Sequence, residues 1–155
     1  MFPLRVRLTQ TELDRCDEIG RQRQMLTGHL PDSYGLPPEQ RLIRHQQGAR
    51  AEKAVALGMN LPWTPVVSDY REIGGNDVGT LGVRSTDRRH GCLILHPKDE
   101  DDRVFVLVLV ETTPDFIIYG WVRGDEGKDQ RYWRTDVRHP AYFVPQHALH
   151  WTPIL

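Results

Sequence analysis

Residues 74–95, GGNDVGTLGVRSTDRRHGCLIL, place Asp77 in a glycine-rich run directly ahead of a short predicted strand that carries Arg84. A second predicted strand, residues 91–95, follows at once. Glycines allow the backbone to bend or to approach a ligand closely. The pattern predicts a rigid hairpin that holds polar groups on a bent strand, as in many active sites. A hairpin with a flexible lead-in and no chemical role is the alternative interpretation.

The composition sets limits on the class of protein. A length of 155 residues is typical of one domain, so we expect a single domain over residues 1–155. The net charge of −1 gives no overall attraction to nucleic acid or to an anionic membrane, and phosphate binding would need a local basic patch. The cysteines, Cys16 and Cys92, match no metal or redox spacing. Without an apolar stretch suited to a signal peptide or membrane span, a cytoplasmic location is expected.

A first helix is predicted near the N-terminus of the sequence. Thr9 and Glu12 have the spacing of a capping box, and the helix should end at Gly28. Its arginines, Arg23 among them, are expected to face solvent. The residues expected to point inward are Leu13, Cys16 and Ile19 or Gly20.

A second helix is predicted from Pro38 to about residue 57. Residues spaced by three and four share one face of it, namely Leu42, His45, Ala49, Glu52 and Ala56. A carboxylate on an apolar face is costly unless a metal, a cation or water meets it, so Glu52 is a candidate site residue. The alternative is that Glu52 lies at the rim of this face and pairs with a nearby arginine.

The second half of the sequence predicts strands. The most apolar run, VFVLVLVE at residues 104–111, suits a central strand covered on both faces. FIIYGWV, residues 116–122, predicts a further strand, and shorter strands are expected at residues 66–70, around residue 132 and at residues 141–144. Two helices followed by five or six strands indicate an α+β domain with the helices on one side of a mixed sheet. The four tryptophans are expected to pack in the core and at its rim rather than to stack on bases.

The order of charged residues resembles the PD-(D/E)XK nuclease superfamily. In that family a helical glutamate precedes an aspartate, and a strand then carries an acid, any residue and a lysine. Glu52 matches the helical acid and Asp77 the aspartate, whereas Gly82 and Arg84 stand at the positions of the acid and the lysine. The resemblance covers roughly residues 39–123.

This resemblance implies a restriction-endonuclease-like fold and a metal-dependent hydrolase acting on DNA phosphodiester bonds. It implies that Glu52 and Asp77 hold Mg²⁺ or Mn²⁺, that Arg84 completes the catalytic set, and that all three converge in one cleft. The residues expected to contact nucleic acid are Arg84, Ser85, Thr86, Arg88 and Arg89.

The sequence departs from the family pattern at two positions. Gly82 removes one carboxylate ligand, and Arg84 keeps a positive charge but cannot act as a base. Asp69, Glu72 or Glu111 are candidates for the missing carboxylate. The other alternative is a non-catalytic module that retains the fold and binds nucleic acid or protein.

Overall fold

The computed structural model describes residues 1–28, 35–67, 77–111 and 113–154. Two long helices precede a series of short strands. The elements are β1 (Leu4–Arg7), α1 (Gln10–Thr27), α2 (Pro38–Gly58), β2 (Gly82–Thr86), β3 (Leu93–Leu95), β4 (Val104–Leu109), β5 (Asp115–Arg123), α3 (Gly124–Gly127), β6 (Trp133–Arg134) and β7 (Ala141–Val144). Single 3₁₀ turns lie at Gln130–Tyr132 and Gln146–Ala148. No helix within these ranges combines the length and the apolar character that crossing a bilayer requires.

Helix α1 begins at the predicted capping box. The Thr9 hydroxyl accepts a hydrogen bond from the Glu12 amide at 3.2 Å, and the Glu12 carboxylate accepts one from the Thr9 amide at 2.9 Å. All four residues predicted to point inward are buried. A Cβ at Gly20 would lie 2.6 Å from the backbone of Gln46, so this glycine allows α1 and α2 to cross in close contact.

The larger sheet has four strands in the order β1-β5-β4-β2. Strand β4 runs antiparallel to β5 and parallel to β2, which makes the sheet mixed and confirms the predicted interior position of the VFVLVLV run. Strand β1 closes the other edge by pairing antiparallel with β5. Helix α2 packs across this sheet, and the α+β class with both long helices on one side is confirmed.

The two faces of β4 belong to different parts of the core. Val106 and Val108 pack toward α1 and α2, together with Phe116 and Ile118 of β5. The alternate residues of β4 pack on the opposite face against the smaller sheet, in a cluster of Leu93, Leu95, Phe105, Leu107, Val122, Val144 and Leu149. Strand β4 is therefore covered on both sides, as an uninterrupted apolar run requires.

Two strand predictions are corrected by the structure, the first of them by the smaller sheet. Its order is β3-β7-β6, all antiparallel, so β3 does not form the predicted hairpin with β2. Strand β2 instead takes β4 as a parallel partner, because the apolar β4 needs a neighbour on each edge. Val66 and Val67 are not part of a strand, and the rest of the strand predicted at residues 66–70 lies outside the described residues.

A bulge in β5 lets the C-terminal part of the chain approach the sheet. Leu107 pairs with Gly120 and Val108 with Ile118, so Tyr119 is an extra residue in β5. A Cβ at Gly120 would lie only 2.5 Å from the carbonyl oxygen of His150. Glycine at this position therefore allows the segment around His150 to lie directly against β5.

Candidate functional site

Glu52 lies in the interior, as the helical spacing predicted. The residue is 5% exposed, and the Arg23 guanidinium donates hydrogen bonds to Oε2 at 2.6 Å and to Oε1 at 3.0 Å. The alternative interpretation was right about an arginine partner and wrong about a position at the rim. Both carboxylate oxygens of Glu52 are thus engaged by one buried cation.

Arg23 was not predicted as part of the site, and the prediction that it faces solvent is wrong. The residue is 7% exposed, and its Nε donates to the carbonyl oxygen of Val66 at 3.0 Å. It lies three residues after Gly20 and therefore continues the inward stripe of α1. This spacing was available in the sequence, but an arginine on an apolar stripe is ordinarily assigned to the surface.

Asp77 lies beside β2, the edge strand of the larger sheet. Its Oδ2 accepts a hydrogen bond from the Val83 amide at 2.7 Å, and a tight turn joins the two residues. Burial raises the pKa of Asp77 to about 6. The Val83 hydrogen bond and the charges of Arg84 and Arg23 lower this pKa, whereas the negative charge of Glu52 raises it.

The raised pKa of Asp77 predicts a pH-dependent stability. The folded protein binds this proton more tightly than the unfolded chain, so protonation stabilises the fold below about pH 4 and this contribution is lost as the pH rises through about 6. Asp77→Asn keeps an oxygen acceptor for Val83 but does not titrate. Relative to Asp77→Asn, the wild type should lose about 2–3 kcal/mol of unfolding free energy between about pH 4 and pH 7 in urea titrations. A difference between the two proteins that stays constant over this range would contradict the assignment.

Arg84 lies on the face of the sheet opposite α2. Its guanidinium stacks 4.8 Å from the ring centroid of Phe105, its Nε donates to the carbonyl oxygen of Ile94 at 3.2 Å, and its Nη2 pairs with Asp99 at 3.0 Å. Asp77 is within electrostatic range of both Glu52 and Arg84. The prediction that Glu52, Asp77 and Arg84 converge in one cleft is wrong, because Glu52 and Arg84 lie on opposite faces of the sheet.

Asp99 is a further residue that the sequence analysis did not identify. One oxygen pairs with Arg84, and the other accepts a hydrogen bond from the His96 amide at 2.7 Å. An aspartate that caps an amide three residues earlier is a common turn pattern, so HPKD was a usable local signal. The pairing with Arg84, in contrast, depends on the tertiary fold.

The predicted nucleic-acid contacts lie at the C-terminal end of β2. Ser85 is exposed, and the Thr86 hydroxyl accepts a hydrogen bond from the Arg88 amide at 3.1 Å. Arg88 and Arg89 are exposed in the turn that follows. Neither arginine side chain forms an ion pair with any residue in the described ranges. These side chains are therefore accessible to phosphate.

The structure supplies no substitute for the missing strand acid among the residues it describes. A Cβ at Gly82 would lie 2.5 Å from Cδ1 of Phe105, so the aromatic ring occupies the space of a side chain there. Glu111 is exposed beyond the end of β4. Asp77 bonds to Val83, which pairs with Val106 of β4, so Glu111 lies about 16 Å farther along the strand direction. Asp69 and Glu72 lie outside the described residues. No group of three histidine, cysteine or acidic side chains suited to a metal ion occurs in the described ranges.

Comparisons with known proteins found no matching family model, no matching curated sequence and no matching solved structure. The resemblance to the PD-(D/E)XK nucleases therefore stays a prediction that depends on Glu52, Asp77 and Arg84.

Proposed function

We propose that this protein is a nuclease-like domain that binds Mg²⁺ or Mn²⁺ through Asp77 and acts on phosphodiester bonds of DNA. The observation that supports this proposal is the environment of the Asp77 carboxyl group. This group is largely withdrawn from solvent and lies near the negative charge of Glu52, and its pKa is raised. A divalent cation would stabilise the ionised form, which is a reason why buried carboxylates near one another mark candidate metal sites.

The residues of this chain have distinct roles in the proposal. Asp77 holds the ion, which when bound polarises a phosphate and activates water. Arg84 keeps the positive charge of the family lysine and binds phosphate, but it cannot take up a proton as a base. For this role Arg84 has to exchange its ion pair with Asp99 for a phosphate, and its side chain is 28% exposed. Arg88 and Arg89 add charge for the flanking phosphates.

The pairing of Glu52 favours a second candidate function. Both oxygens of Glu52 accept hydrogen bonds from Arg23, so Glu52 becomes a metal ligand only when this pair opens. Removing a carboxylate from such a buried pair is costly, because the Arg23 guanidinium then loses the opposite charge of Glu52 in the interior. If the pair stays closed, the domain is a non-catalytic module that binds DNA or protein and uses Glu52 only for stability.

A metal titration distinguishes these two functions. We expect the wild type to bind Mn²⁺ in isothermal titration calorimetry, and Asp77→Asn should weaken binding at least about tenfold, or about 1.4 kcal/mol. Asp136→Asn is the control, since Asp136 pairs with Arg134 in the segment before β7. Cleavage of single- and double-stranded DNA is then followed with and without the ion.

Each outcome assigns one function. Metal-dependent cleavage that Asp77→Asn abolishes supports the nuclease. If the protein binds DNA without cleaving it, and Asp77→Asn changes the affinity for neither Mn²⁺ nor DNA, the result supports the binding module. Equal Mn²⁺ affinity of the wild type and Asp77→Asn rejects the metal site at Asp77.

A further inference from the structure

A pocket of about 460 Å³ lies between the turn after β2 and the C-terminal segment. Its walls include the side chains of Tyr119 and Trp151, and the histidines His90 and His147 lie at its sides. We refer to this cavity as the aromatic pocket. It is separate from Asp77, which lies near the opposite end of β2.

Trp151 is the exposed part of the aromatic pocket. The residue is 55% exposed. Its backbone carbonyl nevertheless accepts a hydrogen bond from the Phe2 amide at 2.9 Å, and its Cδ1 would lie 3.2 Å from a Cβ at Gly120. The glycine in the β5 bulge thus lets the indole lie against the strand. An exposed aromatic ring on a fixed backbone loses little conformational entropy when a planar ligand stacks on it.

The backbone of the turn that carries Arg88 and Arg89 is attached to the wall of this pocket. The carbonyl oxygen of Arg89 accepts hydrogen bonds from the Tyr119 hydroxyl at 3.1 Å and from Nε2 of Gln146 at 2.9 Å. Gln146 also donates to the carbonyl oxygen of Gly91 at 3.1 Å. The turn that carries Arg88 and Arg89 is therefore held by its backbone against residues that line the aromatic pocket, and both arginine side chains on it are exposed.

We infer that the aromatic pocket binds an unpaired nucleobase of single-stranded DNA, stacked on Trp151, while Arg88 and Arg89 contact the adjoining phosphates. An aromatic face beside positive charge complements an unpaired base and its phosphates. A duplex keeps its bases stacked inside and presents no free base face to Trp151. This inference rests on the proposed function, and it adds that the DNA substrate has a single-stranded portion.

Fluorescence anisotropy with labelled oligothymidine tests this inference. Trp151→Ala should weaken binding of the single strand roughly 5–150-fold, the range expected for the loss of one stacked base. Trp151→Phe should retain part of the affinity, and binding of duplex DNA should not change. Trp133→Phe is the control, because Trp133 packs against Tyr142 in the smaller sheet, with the ring centroids 4.7 Å apart and the rings tilted by 55°. Replacing Arg88 and Arg89 with alanine should weaken binding and reduce its salt dependence.

The outcomes separate this inference from the proposed function. Unchanged affinity of Trp151→Ala for the single strand overturns the base pocket, even where Mn²⁺ binds at Asp77. If the wild type binds no Mn²⁺ but Trp151→Ala still weakens binding of the single strand, only the metal site is rejected. A wild type that binds only duplex, or no DNA, overturns the base pocket. Conversion of a dimer to a monomer by Trp151→Ala, with unchanged DNA affinity, would assign the pocket to self-association instead.

Discussion

Glu52→Ala should lower the free energy of unfolding by about 3–5 kcal/mol, because it removes the Glu52 carboxylate from the charged and buried Arg23 guanidinium. Arg23→Ala should cost a similar amount for the converse reason. The double replacement Arg23→Met with Glu52→Leu removes both charges and fills a similar volume, so it should be close to the wild type or more stable. Urea denaturation of the four proteins gives the change in unfolding free energy that each replacement causes relative to the wild type.

A second ion pair between the same helices is the matched control. Arg50 donates two hydrogen bonds to Asp17, both at 2.7 Å, but these side chains are 23% and 32% exposed. Asp17→Ala should therefore cost only about 1 kcal/mol or less. Equal losses in Asp17→Ala and Glu52→Ala would show that burial does not set the strength of the Arg23–Glu52 pair.

Replacement of Gly82 should be the next most damaging change. A Cβ there would lie 2.5 Å and 2.7 Å from two ring carbons of Phe105, so Gly82→Ala should cost about 1–3 kcal/mol through overpacking. Gly82→Glu, which introduces the acid that the PD-(D/E)XK motif has at the corresponding position, should cost about 3 kcal/mol or more because it also places a carboxylate beside the apolar core. Thermal and urea denaturation measure both losses.

Gly48→Ala is the control for the Gly82 replacements. Gly48 lies within α2, and a Cβ there would meet no atom within 4 Å from the described residues outside its own helical backbone. Alanine should therefore stabilise the helix by about 0.5–1 kcal/mol. Wild-type stability of Gly82→Ala would contradict the predicted overlap with Phe105. The ring of Phe105 thus opposes the introduction of an acidic side chain at this position.

The elements that local spacing determines were predicted well. The capping box of Thr9 and Glu12, the inward phase of Glu52 and the interior position of β4 all follow from patterns within one element. Each pattern predicts a helix cap, a buried helix face or a buried strand from neighbouring residues alone, without a contact to a distant residue. These local patterns were enough to predict the α+β class.

The features that were missed depend on contacts between distant residues. Strand β2 was predicted to pair with β3, the strand that follows it. It pairs with β4 instead, because the apolar β4 needs a strand on each of its edges. Arg23 is buried because Glu52, 29 residues later, meets it in the interior. Arg84 lies on the opposite face from α2 because residues of a strand alternate in direction, and its partner Asp99 comes from a separate turn. Sequence spacing alone does not identify such partners.

The position of β1 has a consequence for folding kinetics. Arg7 of β1 meets Asp115 of β5 across 108 residues of sequence, whereas β4 and β5 are consecutive strands that pair directly. The entropy of closing such a long loop has to be overcome before the β1 contacts contribute. Contacts of this separation raise the contact order and slow folding, so β1 is expected to join the sheet after β4 and β5 have paired. The edge strand that comes first in the chain is thereby among the last to reach its place.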